Sequence, residues 1–360
     1  MKLEFARADV NDLVAPFAAV LDKQEFCSEL DRLCFSEWHW GTRQKVRARA
    51  LKWHGDRCTF EIAMRTEGGW HSLIAKVYKM DRPDIFQAMA ALSHAGFGTE
   101  AEFSIPQPFI YLSSLGIRLE EKVQGPSAKE IFLNGSPDER FVAAERCGQW
   151  LGRFHRTAPP LGKVANLSEE FPRYRYWTDP LVSCGEPLAS KAELLFQKLS
   201  AAIPDLSAIE SCAGHGSYIP EHVIFSGWRT ATIDLDDYDV GDPGRDIAWF
   251  IVSLQRLALK HLGSLHALDG VAEGFLRTYA SSGRRDAMVN FSFYKALECL
   301  HGAKRDVINQ SPPARDWAEI MLDEGLSCFV KASRRILSYR GTRSITDSGL
   351  VTADEKNHQS

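Results

Sequence analysis

The chain has 360 residues, 44% hydrophobic and 25% charged, the balance of an ordinary folded protein and long enough for two lobes or domains. A net charge of -4 without a basic cluster gives no support for a nucleic-acid partner, and no run of eighteen apolar residues supports a membrane partner. The start, MKLEFARADVNDL, is charged where a signal peptide is apolar, and the eight scattered cysteines contain no C-x-x-C pair, so the expectation is a cytoplasmic protein with reduced thiols and no zinc site.

Residues 1–40 hold two amphipathic stretches, at 13–21 and 26–35, which predict an N-terminal helical extension. From Lys45 the apolar period becomes two: residues 46–53 alternate, His54-Gly55-Asp56 turns, and 58–64 return as the second strand of a hairpin. After Glu67-Gly68-Gly69 comes the strand 73–78, in which Lys76 is flanked by Ile74, Ala75 and Val77 and is therefore expected to point inward. The helix expected over 84–95 contains no glutamate, and Gln87 offers only a neutral hydrogen bond. Residues 119–125 read as a strand running into a linker, 140–155 as a helix, and the aromatic, basic run 171–177 as loop residues packed on that half, with lining of a cleft as the second reading.

The most informative segment is 213–249. His215-Gly216-Ser217 makes a tight turn, 223–225 a short strand, Ser226-Gly227 a turn, and 231–233 a strand that runs into Asp234-Leu235-Asp236-Asp237. Gly241-Asp242-Pro243 breaks the chain before an apolar helix whose first turn Asp242 can cap. Helices continue to about Tyr339; their acidic members Asp306, Asp316, Glu319, Asp323 and Glu324 read as a solvated face, with a surface for a cationic acceptor as the second reading. Residues 341–360 are polar and are expected to be a disordered tail.

In chain order these residues resemble the aminoglycoside phosphotransferase and choline kinase family, whose motifs are His-Gly-Asp, an Asn five residues later, Ile-Asp-x-Asp/Glu, and Gly-Asp-Pro-x-x-Asp. Here they fall on His215-Gly216, Asp234, and Gly241, Asp242, Pro243 and Asp246. The resemblance implies an α+β, two-lobed protein-kinase-like fold: an N-lobe over 41–124, small and built on an antiparallel sheet, and a larger, mostly helical C-lobe over 125–340. It further implies ATP or another NTP as cofactor with magnesium or manganese, Lys76 on the phosphates, the linker residues Glu121 and Val123 against the base, Asp234 on the metal, and a small-molecule acceptor. Oligomeric state is left open.

Two positions depart from the pattern. Ser217 stands where the family has its catalytic Asp, and His222 where it has the metal-binding Asn. A serine is no base at neutral pH, and imidazole suits manganese, zinc or nickel better than magnesium. His215, Ser217 and Asp236 are the candidate catalytic residues, Asp236 because in an extended segment it would point to the same side as Asp234. Glu221 is a further carboxylate in the loop. The expected function is phosphoryl transfer from ATP to a hydroxyl with altered catalytic residues; the alternative is a catalytically silent relative that binds nucleotide or a small molecule, and a scaffold binding neither comes third. A serine hydrolase is disfavoured because Ser217 lacks the Gly-x-Ser-x-Gly elbow.

Overall fold

A computed structural model describes residues 4–5 and 12–343. The alternating segments form a six-stranded sheet in the order β1-β2-β3-β4-β7-β6. Its strands are β1 (Glu4–Phe5), β2 (Arg43–His54), β3 (Arg57–Thr66), β4 (Gly69–Tyr78), β6 (Pro108–Leu112) and β7 (Ile117–Glu121), and the short β5 (Phe103–Ser104) lies outside it. The pairs β2–β3, β3–β4, β4–β7 and β7–β6 are antiparallel, and the hairpin turns at Gly55-Asp56 as the alternation predicts. Register sets Lys76 of β4 directly opposite Arg118 of β7. Helices α1 (Ala15–Leu21) and α2 (Gln24–Arg32) close one face, where Phe17, Leu21, Phe26 and Leu30 join Val46, Phe60 and Leu73 in one apolar cluster. α3 (Pro83–Leu92) begins at a proline and is followed by a wider turn to Phe97.

The second lobe is helical: α4 (Ala128–Asn134), α5 (Pro137–Thr157), α6 (Leu167–Glu170), α7 (Asp179–Ser183), α8 (Leu188–Ala202), α9 (Gly244–Leu262), α10 (Asp269–Ser282), α11 (Phe291–Ile308) and α12 (Arg315–Arg343). α4 and α5 each start on a serine capping box, Ser127 with Glu130 and Ser136 with Glu139, which satisfies amides that no helical carbonyl reaches. Trp150, Phe154, Tyr218, Phe250 and Phe275 fill the core among α5, α9 and α10. Two small antiparallel pairs, β8 (Cys212–Gly214) with β11 (Asp239–Gly241) and β9 (Val223–Ser226) with β10 (Arg229–Thr232), carry the segment between α8 and α9. The architecture is the two-lobed α+β fold. No helix among the described residues is long and apolar enough to cross a membrane.

Two expectations change. Residues 171–177 form a 3-10 helix rather than a loop, because Phe171 and Trp177 bury their rings against the helices. α12 runs to Arg343, past the expected tail start at 341; the rest of the expected tail, 344–360, lies outside the described residues.

The lobes are joined by residues 122–127, which are stitched onto β9: Phe225 N–H donates to the Pro126 carbonyl at 2.9 Å, and Arg229 of β10 grips Glu121 through two contacts of 2.7 and 2.8 Å. Gly125 has φ +138, and a Cβ there would lie 2.1 Å from the Phe225 carbonyl oxygen. Gly125→Ala is therefore expected to lower stability by at least about 1–3 kcal/mol, the usual cost of such strain, in chemical denaturation; an unchanged midpoint would show that the linker is not packed on β9.

Candidate functional site

Asp246, in the first turn of α9, organises the loop after β8. Its carboxylate accepts the His215 and Gly216 amides at 2.7 and 2.9 Å and contacts His155 Nε2 at 3.0 Å, while His155 Nδ1 meets the Tyr279 hydroxyl at 2.8 Å. Burial opposes its ionisation, but these bonds hold the Asp246 carboxyl below its ordinary pKa. Asp242 accepts the Gly244 amide at 2.8 Å, the expected cap. Gly216 has φ +75 and a Cβ there would sit 2.1 Å from the Asp237 carbonyl oxygen, so only glycine lets the two segments meet.

His215 is fully buried. Its Nε2–H donates to the Ile233 carbonyl at 3.2 Å, which leaves Nδ1 to accept from the Ser217 amide at 3.4 Å; burial, which lowers its pKa, agrees with this neutral form. The imidazole ties one strand end to the other instead of facing the cleft. The Ser217 hydroxyl lies 3.4 Å from the same Nδ1 and 3.3 Å from the Asp234 carbonyl.

Asp234 takes a left-handed backbone conformation, φ 67 and ψ 56, and residues 235–237 then form a 3-10 turn. Such a conformation in a residue other than glycine is strained and is retained where the surroundings over-determine it. The segment is thus not extended; Asp236 meets the same Lys76 ammonium as Asp234, but its carboxylate is enclosed by cations. It is buried, accepting from Tyr78 OH at 2.9 Å and Arg118 Nη2 at 2.9 Å, beside Lys76 Nζ at 3.1 Å and Arg57 Nε at 2.9 Å. Lys76, which points inward, donates to Asp234 at 2.6 Å. Burial works against both charges of the Lys76–Asp236 pair, yet Lys76 and then Arg118 hold the Asp236 carboxyl far below its usual pKa, and Asp236 and Asp234 hold Lys76 above its own. Gln87, the expected neutral partner of Lys76, is exposed on α3; the carboxylates reach the lysine from the other lobe.

Asp234 also faces His222. His222 Nδ1–H donates to the Ser217 carbonyl at 2.9 Å, which leaves Nε2 as a lone pair 3.3 Å from Asp234 Oδ2. Burial lowers the His222 pKa to about 4, so at neutral pH two lone-pair atoms face each other, a donor set that fits a divalent cation of borderline softness. Among the described residues no third His, Cys, Asp or Glu joins them, so an ion there would complete its shell from a bound molecule and water.

Beside this pair opens a cavity of about 320 Å³, lined by Ser217, His222, Asp234, and Lys52, His54 and Arg57 of the hairpin. Asp237 and Trp249 also line an adjoining cavity of about 530 Å³, whose wall includes Tyr174, Tyr176 and Trp177 of the aromatic run. Asp237 is the residue the sequence reasoning missed. It makes no ion pair or hydrogen bond among the described residues and is exposed to both cavities, and the protein atoms that wall it push its carboxyl pKa up, with Asp234 and Asp236 adding to the rise against Arg57. Only the 3-10 turn reveals it: in an extended chain Asp237 would point away from Asp234.

Of the linker pair, Glu121 spends its side chain on Arg229 and its amide on the Gln107 carbonyl at 2.9 Å, whereas the Val123 amide and carbonyl have no partner among the described residues. Glu221 pairs with Lys129 at 3.2 Å. Most of the acidic helix residues are also held: Asp306 by Arg256, Glu319 and Asp323 by Lys191, Glu324 by Lys295.

A family model described as "Phosphotransferase enzyme family" matches residues 65–289. Solved structures share the fold: a choline kinase from Cryptosporidium parvum Iowa II (12% identity, 87% of this chain and 97% of that one, TM-score 0.58), a spectinomycin phosphotransferase in complex with ADP and spectinomycin (13%, 84% and 98%, TM-score 0.55), and a choline/ethanolamine kinase family protein from Mesorhizobium loti (14%, 84% and 94%, TM-score 0.54). No curated protein matches the sequence.

Removing one partner of a buried ion cluster leaves its counter-charges unpaired, at about 3–5 kcal/mol. Asp236→Asn, which leaves Lys76, Arg118 and Arg57 with only Asp234, Glu120 and Asp56 as counter-charges, is expected to destabilise by that order in urea denaturation, while Gln87→Ala stays within about 0.5 kcal/mol. Equal midpoints for the two variants would contradict the cluster.

Proposed function

The chain belongs to the phosphotransferase enzyme family, and from that premise we propose that it transfers the terminal phosphoryl group of ATP, or of another NTP, to a hydroxyl of a small-molecule acceptor. The observation that carries this reading is the convergence of the buried Lys76 and of His222 on Asp234, which with His222 lines one cavity, and the strained backbone at Asp234. Lys76 would hold the phosphates, and the unpaired amide and carbonyl of Val123 would meet the base. Asp234 and His222 would hold the metal, which supplies charge neutralisation between the phosphates.

Ser217 orients rather than deprotonates: its amide and hydroxyl brace His215 and the Asp234 carbonyl. The proton of the acceptor hydroxyl goes to Asp237, a free carboxylate whose raised pKa suits a base better than that of an ordinary exposed aspartate. Asp236 is excluded from that role by the cations that surround it. The second reading, a silent relative that binds nucleotide without turnover, draws on the absence of a carboxylate at 217.

ATP with manganese at millimolar concentration is expected to raise thermal stability by about 1 kcal/mol or more. Manganese should support tighter binding than magnesium, and Asp234→Ala should remove the metal dependence. Absence of any shift would refute the nucleotide site. Turnover, followed as slow ATP hydrolysis, is expected to fall about 10²–10⁴-fold in Asp237→Asn. Because the base must be ionised, the rate of the unaltered protein should climb as pH rises through the Asp237 pKa, and that limb should vanish in the variant. Full turnover in Asp237→Asn together with a gain in Ser217→Asp would remove Asp237 from the mechanism; binding without turnover in any variant would establish the silent relative.

A further inference from the structure

We propose that the acceptor carries an anionic group, a carboxylate or a phosphate, held by Lys304 and Arg305 of α11; this rests on the phosphotransferase reading of the same cavity. Both residues line the 320 Å³ cavity that contains Ser217, His222 and Asp234, and Arg305 also lines a neighbouring cavity of about 250 Å³. Neither makes an ion pair among the described residues. Among the described residues Lys304 meets the face of Tyr176, 4.8 Å from Nζ to the ring centre, and the Arg305 side chain makes no hydrogen bond or ring contact.

The carboxylates nearest Arg305 are already engaged: Glu221 with Lys129, Asp306 with Arg256, and Glu298 with His301. Two adjacent, half-buried cations therefore lie together without an ion pair of their own; the pKa of each is lowered, by burial first and then by a neighbouring cation, Arg305 for Lys304 and Arg256 for Arg305, and the three carboxylates offset only part of that at Arg305. An arrangement of this kind is costly unless a ligand brings the missing negative charge. Across the cavity the hairpin places Lys52, which lies 3.8 Å from Asp234, and Arg57, which is held by Asp236, while burial lowers the pKa of His54; Asp234 is met by Lys76 and Lys52, so among the described residues the cations without an ion-pair partner on this wall are Lys304 and Arg305, against Asp237. An amino-sugar or quaternary amine would meet repulsion here; a hydroxy acid or a sugar phosphate would meet charge-assisted hydrogen bonds.

The nucleotide's own phosphates are the competing source of anion, so the test is made with the nucleotide site saturated by a non-hydrolysable ATP analogue and manganese. Under that condition glycerate and glycerol 3-phosphate are titrated by calorimetry into the full chain, with choline and kanamycin as cationic comparators. At least one anion is expected to bind, and to bind about tenfold or more weakly to Arg305→Gln and to Lys304→Gln, the loss of one charge-assisted contact. Arg305→Lys should recover part of the affinity, which a merely misfolded variant would not. Binding of choline or kanamycin in preference to the anions, anion affinity equal in all variants, or no anion binding to the nucleotide-loaded protein overturns the proposal. Failure of the ATP analogue itself to bind would instead refute the phosphotransferase reading, and is scored separately in the same titrations.

Discussion

Lys76 and Arg118 are buried cross-strand neighbours, and like charges so placed drive the strands apart unless something negative lies between them. Glu120 holds Arg118 from its own strand at 3.0 Å, and Asp236 is the carboxylate that meets both cations. It reaches both from a turn of the other lobe, adds Tyr78 and Arg57 to its contacts, and so joins the sheet to the segment that follows β10. The turn that carries this carboxylate also carries the left-handed backbone of Asp234 and the outward aim of Asp237. A buried ion cluster adds little net stability over well-packed apolar groups, but it tolerates few alternative arrangements, which suits an element that must set geometry.

The cluster also explains how the inward lysine is held without a glutamate on α3. Its ion pairs come from the segment 234–236, with Glu120 of β7 adding to the field, so the lysine is held without a carboxylate of α3 and Gln87 is left in solvent. In this chain the lysine and Asp234 are thus set by the same short turn, and anything that displaces the turn displaces both.

Periodicity and punctuation made the architecture legible: the hairpin at Gly55-Asp56, the inward Lys76, and the break at Gly241-Asp242-Pro243 are each written in local residue pattern. The site was legible where a motif names a position, as for Asp234, His222 and Asp246. It was not legible at Asp236 and Asp237, because a two-residue alternation assigns sides only in an extended chain, and one left-handed residue reverses the assignment. That residue is an aspartate, whose side chain tolerates the conformation without announcing it as a glycine would. Nor does sequence show that Arg229 takes the Glu121 carboxylate, since the partners are 108 residues apart and meet only through tertiary packing.

The two departures from the family pattern gain sense when read as charge. A carboxylate at 217 would add a negative charge to the wall of the very cavity that Lys304 and Arg305 line; serine removes it, and the neutral His222 adds none. Asp234 is already neutralised by Lys76, so the cavity keeps one free carboxylate, Asp237, against unpaired cations on α11. An acidic base at 217 suits a cationic acceptor, whose charge it attracts, and penalises an anionic one by like-charge repulsion, which rises steeply as water is excluded. In the proposed mechanism the base is Asp237, at the boundary of the two cavities, which would keep proton acceptance while freeing the position nearest Asp234 from negative charge. If the acceptor is anionic, as proposed, Ser217 is not the relic of a lost catalyst: it would let that acceptor approach the proposed metal and phosphate site without like-charge repulsion from position 217.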